Sequence, residues 1–138
     1  MNAQPTSFHL SISSSTSQLE RVREWVLSVQ QQIGEKAFPG TALRAMTLSL
    51  IEAVNNAIFH AHTDRPEQPI ELSITATAGA LRLEVVDFGP GFQLKKHPSL
   101  PVAESDHGRG LYIMSQLMSE VSNRIEGGKH IVRLVYHL

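Results

Sequence analysis

"SLIEAVNNAIFHAH", residues 49–62, repeats Leu50, Ala53, Val54, Ala57, Ile58 and Ala61 at helical spacing and interrupts that apolar stripe with Glu52, Asn55, Asn56 and His60. Successive helix positions turn by about 100°, so residues four apart differ by only about 40°. Glu52, Asn56 and His60 therefore form one slightly slanted row facing a common space, while Asn55 is turned away from Asn56 by about 100°. An amide oxygen is a hard ligand suited to Mg²⁺, which keeps waters and phosphate oxygens in its shell, and a carboxylate one turn away can orient or deprotonate a nucleophile. The row suits a metal-phosphate site. For this helix alone, a solvated edge or a buried polar network explains it equally well.

Upstream, Phe8, Leu10 and Ile12 alternate with polar neighbours and predict a strand. "SSSTSQLE" supplies cap residues ahead of a helix over about 17–33, with Leu19, Val22, Val26 and Val29 as its buried stripe. "GEKAFPG" breaks that helix, and Thr41 is placed to cap the next, over about 42–62. Downstream, the prolines of "TDRPEQP" end it. Ile70, Leu72, Ile74 and Ala76, the turn "TAGA", then Leu81, Leu83 and Val85 predict a hairpin over 70–87 that ends at Asp87.

The polar stretch "DFGPGFQLKKHPSLPVAESDHGRG" is too long to be a neutral connector in so small a domain, and such loops usually bind something. Leu111, Met114, Leu117, Met118 and Val121 then restore helical spacing, and "SNRIEGGKHIVRLVYHL" reads as a last hairpin around Gly127–Gly128. Helices and strands without regular βαβ alternation predict an α+β two-layer sandwich, its sheet mixed but mainly antiparallel and covered on one face by helices.

A chain of 138 residues has room for one domain, with residues 1–7 expected as a disordered tail. A formal charge of −1 gives no general attraction to nucleic acid or anionic lipid, so neither partner is expected and binding must come from a local site. With no cysteine, disulfides and thiolate metal sites are excluded. There is no apolar run approaching the roughly 20 residues of a membrane span, and no signal-peptide pattern, so the expected location is the cytoplasm. His60 and His62 lie two apart on a helix, a spacing that points them to different sides and argues against zinc. Trp25, Met114 and Met118 read as packing residues.

Two further motifs carry chemistry. In "DFGPGF" two glycines flank a proline straight after a strand, allowing a tight turn open to a flat ligand, with Asp87 able to accept from an exocyclic amine. "HGRGLYIMSQLM" puts two glycines and an arginine where a helix begins, so that unpaired N–H groups, the positive end of the helix dipole and the fork of Arg109 would meet an anion. Singly, each motif is weak. Their order is specific: an E-x-x-x-N helix, a strand ending in D-x-G-x-G, a long loop, and G-x-G-L opening a helix.

In that order, the sequence resembles the GHKL (Bergerat) ATP-binding fold of gyrase-type, chaperone and histidine-kinase ATPases, with residues 49–62 as its N box. "EAVNNAIFHA" and "GRGLYIMSQLMSEV" are most similar to the bacterial anti-sigma-factor serine kinases, over roughly residues 8–138. The resemblance implies ATP and Mg²⁺ as cofactors, Glu52 as general base, Asn56 as the Mg²⁺ ligand, and Asp87 as reader of the adenine amine. It further implies that Gly89 and Gly91 shape the adenine pocket, that Gly108, Arg109, Gly110 and Leu111 form the second glycine box against phosphate, and that residues 92–107 are the ATP lid. Asn55 and His60 match common N-box neighbours.

Implied with these is transfer of the γ-phosphate to a serine of a STAS-type anti-anti-sigma protein, regulation of a sigma factor by partner switching, and a homodimer. Departures from the family pattern are specific. Ser105, Asp106 and His107 stand before Gly108 where some of these kinases carry an arginine that reaches the γ-phosphate, leaving Arg109, Lys95 or Lys96 as the cations for that task. "GGKHIVRL" lacks the Gly-Thr pair that often precedes the last strand. Two alternatives follow: a non-catalytic ATP-binding module that grips a sigma factor or other regulator, and a detached histidine-kinase catalytic domain.

Overall fold

The computed structural model describes residues 5–61, 67–89 and 106–138, excepting the side chains of residues 60, 61 and 106–111. Five strands form one sheet: β1 (Thr6–Ser13), β2 (Pro69–Ala76), β3 (Ala80–Asp87), β4 (Glu120–Glu126) and β5 (Lys129–His137), in the order β1-β2-β3-β5-β4. Among the described residues three α-helices accompany them: α1 (Leu19–Ile33), α2 (Gly40–Asn56) and α3 (Asp106–Leu117).

The α+β two-layer reading holds, with one correction. All four strand pairings are antiparallel, so the mixed component does not occur among the described residues. The connections explain why. Two helices between β1 and β2 return the chain to the end it left, so those strands oppose. One helix between β3 and β4 lets them run the same way, but β5 lies between them.

Alternation of side chains gives the sheet a helix-facing row, Phe8–Ile74–Leu83–Leu134–Val121, running through directly opposed residues of all five strands. Parallel to it run Leu10, Leu72, Val85 and Val132. Against these rows α1 buries Val22, Val26 and Val29, and α2 buries Ala42, Met46, Leu50 and Val54, forming one core with Met114 and Met118. Each of the larger of these side chains contributes roughly 1.5–3 kcal/mol by leaving water. The opposite face is polar: Arg133 Nη2 lies 2.9 Å and Arg124 Nη1 3.4 Å from Glu84 Oε2.

Element boundaries moved in four places. β1 begins at Thr6, so Thr6 and Ser7, expected in a tail, pair with Ala76 and Thr75, and the hydroxyls of Ser7 and Thr75 lie 3.0 Å apart. α2 starts at Gly40 behind an extended Pro39 (φ −63°, ψ 158°), which puts Thr41 inside the helix rather than at its cap. Ala57–Ala61 form a π-helical turn in place of continued α-helix. Val121, expected on the last helix, belongs to β4, because the chain turns at Met118–Ser119 and Ser119 N–H donates to the Val135 carbonyl at 2.7 Å.

Candidate functional site

The residues singled out in the sequence come from three places: α2, the end of β3, and the start of α3. Most of the α2 stripe fulfils its packing role, with Leu50, Ala53, Val54, Ala57 and Ile58 all buried. Among the described residues, Ser49 Oγ and Asn56 Nδ2 are buried without a hydrogen-bond partner. Seven positions apart, they lie within about 20° of one line along the helix and bracket the half-buried Glu52.

An unpartnered buried polar atom costs roughly 1–3 kcal/mol, and in native proteins it commonly marks a function. Asn56 is only 7% exposed, so its carboxamide is held in place while one of its hydrogen-bonding groups stays unmet inside the protein. Asn55 is half-buried, consistent with its different angle around the helix. The expected alignment of His60 with Asn56 does not carry over, because residue 60 lies in the π turn, where the advance of about 100° per residue no longer applies. The His60 side chain is outside the described residues.

β3 delivers Asp87 to the helix-facing side of the sheet, in line with Leu81, Leu83 and Val85, and buries it to 2% exposure. Its carboxylate is held at both oxygens. Oδ1 accepts from the Gly89 N–H at 3.0 Å, closing an Asx turn that directs the chain after the strand. Oδ2 lies 3.1 Å from Nδ1 of His130, its directly opposed partner on β5. His130 is fully buried, and its Nε2 lies 2.9 Å from Asn123 Nδ2 on β4. A carboxylate only accepts, so Nδ1 carries the proton. The Asn123 amide then donates to Nε2, and the chain of donors runs Asn123 to His130 to Asp87.

Neither His130 nor Asn123 stood out in the sequence. The signal was the missing Gly-Thr pair in "GGKHIVRL", where a histidine follows the turn glycines. Ser49 was missed as well, although its spacing from Glu52 and Asn56 was there to be read.

Gly108, Arg109, Gly110 and Leu111 lie on α3, whose described residues run from Asp106 to Leu117. Gly108, Arg109 and Gly110 lie toward the N-terminal, positive end of the α3 dipole. α3 packs on α2, which brings the two motifs to one side of the fold. Gly91, Lys95 and the lid expected over 92–107, up to residue 105, lie outside the described residues.

Among the described residues, no group of three His, Cys, Asp or Glu side chains could hold a metal ion. A cavity of about 260 Å³ bordered by Arg82, Glu120 and Arg133 sits on the opposite face of the sheet and contains none of the site residues. No helix is long and apolar enough to cross a membrane, among the described residues.

A helical layer on one face of an antiparallel sheet, with an acidic-amide helix, a buried aspartate at a strand end and a glycine-bearing helix start, is the arrangement expected of a GHKL-type nucleotide domain. The chain belongs to the histidine kinase-like ATPase domain family, whose sequence profile spans residues 12–136. It is 25% identical over 108 residues to the serine-protein kinase RsbW of Oceanobacillus iheyensis, covering 72% of this chain and 68% of that protein.

Solved structures agree on the fold. The RsbU and RsbW domains of a Mycobacterium tuberculosis protein match with a TM-score of 0.69 at 20% identity, over 95% of this chain and 32% of that one. This chain thus spans about a third of that longer protein. The SiaB-SiaC complex of Pseudomonas aeruginosa matches with a TM-score of 0.60 at 15% identity, over 95% of this chain and 89% of that one.

Proposed function

We propose that this protein binds Mg-ATP and transfers the γ-phosphate to a serine of a STAS-type anti-anti-sigma partner, so regulating a sigma factor by partner switching from the cytoplasm, as a homodimer. The observation that supports this reading most is the buried, doubly anchored Asp87 carboxylate in a chain of the ATPase-domain family. Relatedness to a serine-protein kinase favours serine over histidine as the acceptor.

In this reading Asp87 accepts from the exocyclic amine of adenine through lone pairs that Gly89 and His130 leave unfilled, with Gly89 and Gly91 forming the turn around the base. Gly108, Arg109, Gly110 and Leu111 set this end of α3, and the positive end of its dipole, against the phosphates. Asn56 would hold Mg²⁺ through its carboxamide oxygen. That ion would supply charge neutralisation at the phosphate oxygens. Glu52, one turn from Asn56, accepts the proton of the incoming serine hydroxyl as its oxygen attacks the γ-phosphorus, and the ADP oxygen leaves on the opposite side. Arg109, Lys96 and Lys95 are the Lys and Arg residues nearest in sequence to the place of the absent lid arginine.

The test is phosphotransfer. The purified chain, incubated with labelled ATP, Mg²⁺ and a STAS protein encoded nearby, should yield phosphoserine on the partner. Glu52→Gln should keep ATP binding and lose at least about 100-fold in transfer; loss of both would remove Glu52 from the role of base. Asn56→Ala should nearly abolish Mg-dependent binding. Tight ATP binding without transfer to any such partner would favour the non-catalytic module.

A further inference from the structure

We propose that His130 is a positioning residue for base recognition, holding Asp87 in the one orientation that selects a purine bearing an amine at its six-position over one bearing an oxo group. The proposal rests on the adenine role given to Asp87 above and adds the device that enforces it.

Three observations carry it. Asp87 and His130 are opposed residues on β3 and β5 with both side chains on the buried side of the sheet, at 2% and 0% exposure. The Nδ1–Oδ2 distance is 3.1 Å and the Asn123 Nδ2–Nε2 distance is 2.9 Å, so the imidazole is gripped at both nitrogens and its tautomer is fixed. The Gly89 N–H takes Oδ1, so rotation of the carboxylate is opposed at two points instead of one.

An ionised carboxylate has about four acceptor positions, and among the described residues two are filled, by Gly89 N–H and His130. Those remaining can only accept. An exocyclic amine donates to them, whereas a six-oxo purine brings its own lone pairs and repels them. Discrimination of this kind depends on the carboxylate being unable to swing away, and that constraint is what His130 supplies. Being fully buried, His130 acts through Asp87 and does not touch the nucleotide.

Binding of ATP and GTP to wild type, Asp87→Asn, His130→Leu and His130→Asn, each checked for folding by circular dichroism, separates the possibilities. Asparagine places an amide N–H close to where Nδ1–H lies and keeps the bond to Asp87, whereas leucine removes it. His130→Leu should lower ATP affinity by about 10-fold to 100-fold, as expected for a hydrogen bond to a charged group, and should collapse the ATP-over-GTP ratio. His130→Asn should restore most of that ratio. Imidazole nitrogen shifts of the wild-type protein should report the Nδ1–H tautomer.

Equal losses of ATP and GTP binding in His130→Leu, or an Nε2–H tautomer in wild type, would overturn the proposal. If instead Asp87→Asn leaves ATP binding and the ratio intact, the adenine role of Asp87 falls and the proposal falls with it. Loss of the ratio in Asp87→Asn with its retention in a folded His130→Leu rejects His130 alone.

Discussion

Ser49 and Asn56 differ in what their unmet polar atoms should mean. Ser49 Oγ is fully enclosed with no partner among the described residues, so Ser49→Ala removes a desolvated hydroxyl and almost no packing. Urea denaturation should find the variant unchanged or more stable by up to about 1 kcal/mol; a loss beyond that would show that the hydroxyl is bonded in solution. Asn56 loses its buried amide in Asn56→Ala at the cost of a small cavity, two effects of opposite sign. The expected result is a ligand-free stability within about 1 kcal/mol of wild type, together with loss of the melting-temperature rise that Mg-ATP gives the parent. Asn55→Ala should keep most of that rise, because Asn55 lies about 100° around the helix from Asn56.

The β4–β5 hairpin turns through Gly127 (φ 57°) and Gly128 (φ 78°), both in the left-handed region where a β-branched side chain is strained. Gly128→Val should cost roughly 1–3 kcal/mol in thermal denaturation, while Gly127→Asn should be nearly silent. A Leu134→Ala change, in the five-strand row, should cost about 2–5 kcal/mol.

These elements were readable in the sequence because their signals are local: alternation in β2 and β3, the 3.6-residue period in α1 and α2, paired glycines at the last turn. The first turns of α3 were not, since Gly108 and Gly110 have poor helix propensity and argue for a loop, yet both lie on the helix. The π turn at Ala57–Ala61 has no sequence signature of its own. Within the site, the spacing of Glu52 and Asn56 was legible because one helix sets it. The bond from His130 to Asp87 spans 43 positions and depends on strand register, which local patterns do not fix.

For the whole protein, ligand should act as a clamp. Anything that binds only the folded state stabilises it by RT ln(1 + [L]/Kd), about 2.7 kcal/mol at a hundredfold excess over Kd. Mg-ATP should therefore raise the melting temperature in proportion to the logarithm of its concentration. Chelation of Mg²⁺ should cancel most of that gain, and absence of any shift would count against the nucleotide reading. The sheet adds a kinetic consequence. β2 with β3, and β4 with β5, are hairpins that can close on their own within microseconds, but the seam between β3 and β5 joins segments separated by the whole 88–128 stretch. That seam should close late in folding, and the Asp87–His130 pair sits at one end of it. During synthesis, then, the Asp87–His130 contact should be completed among the last features of the molecule, and a nascent chain that has emerged only through α3 should have helices and strands β1 to β3 but not the His130 anchor that the proposed base recognition needs.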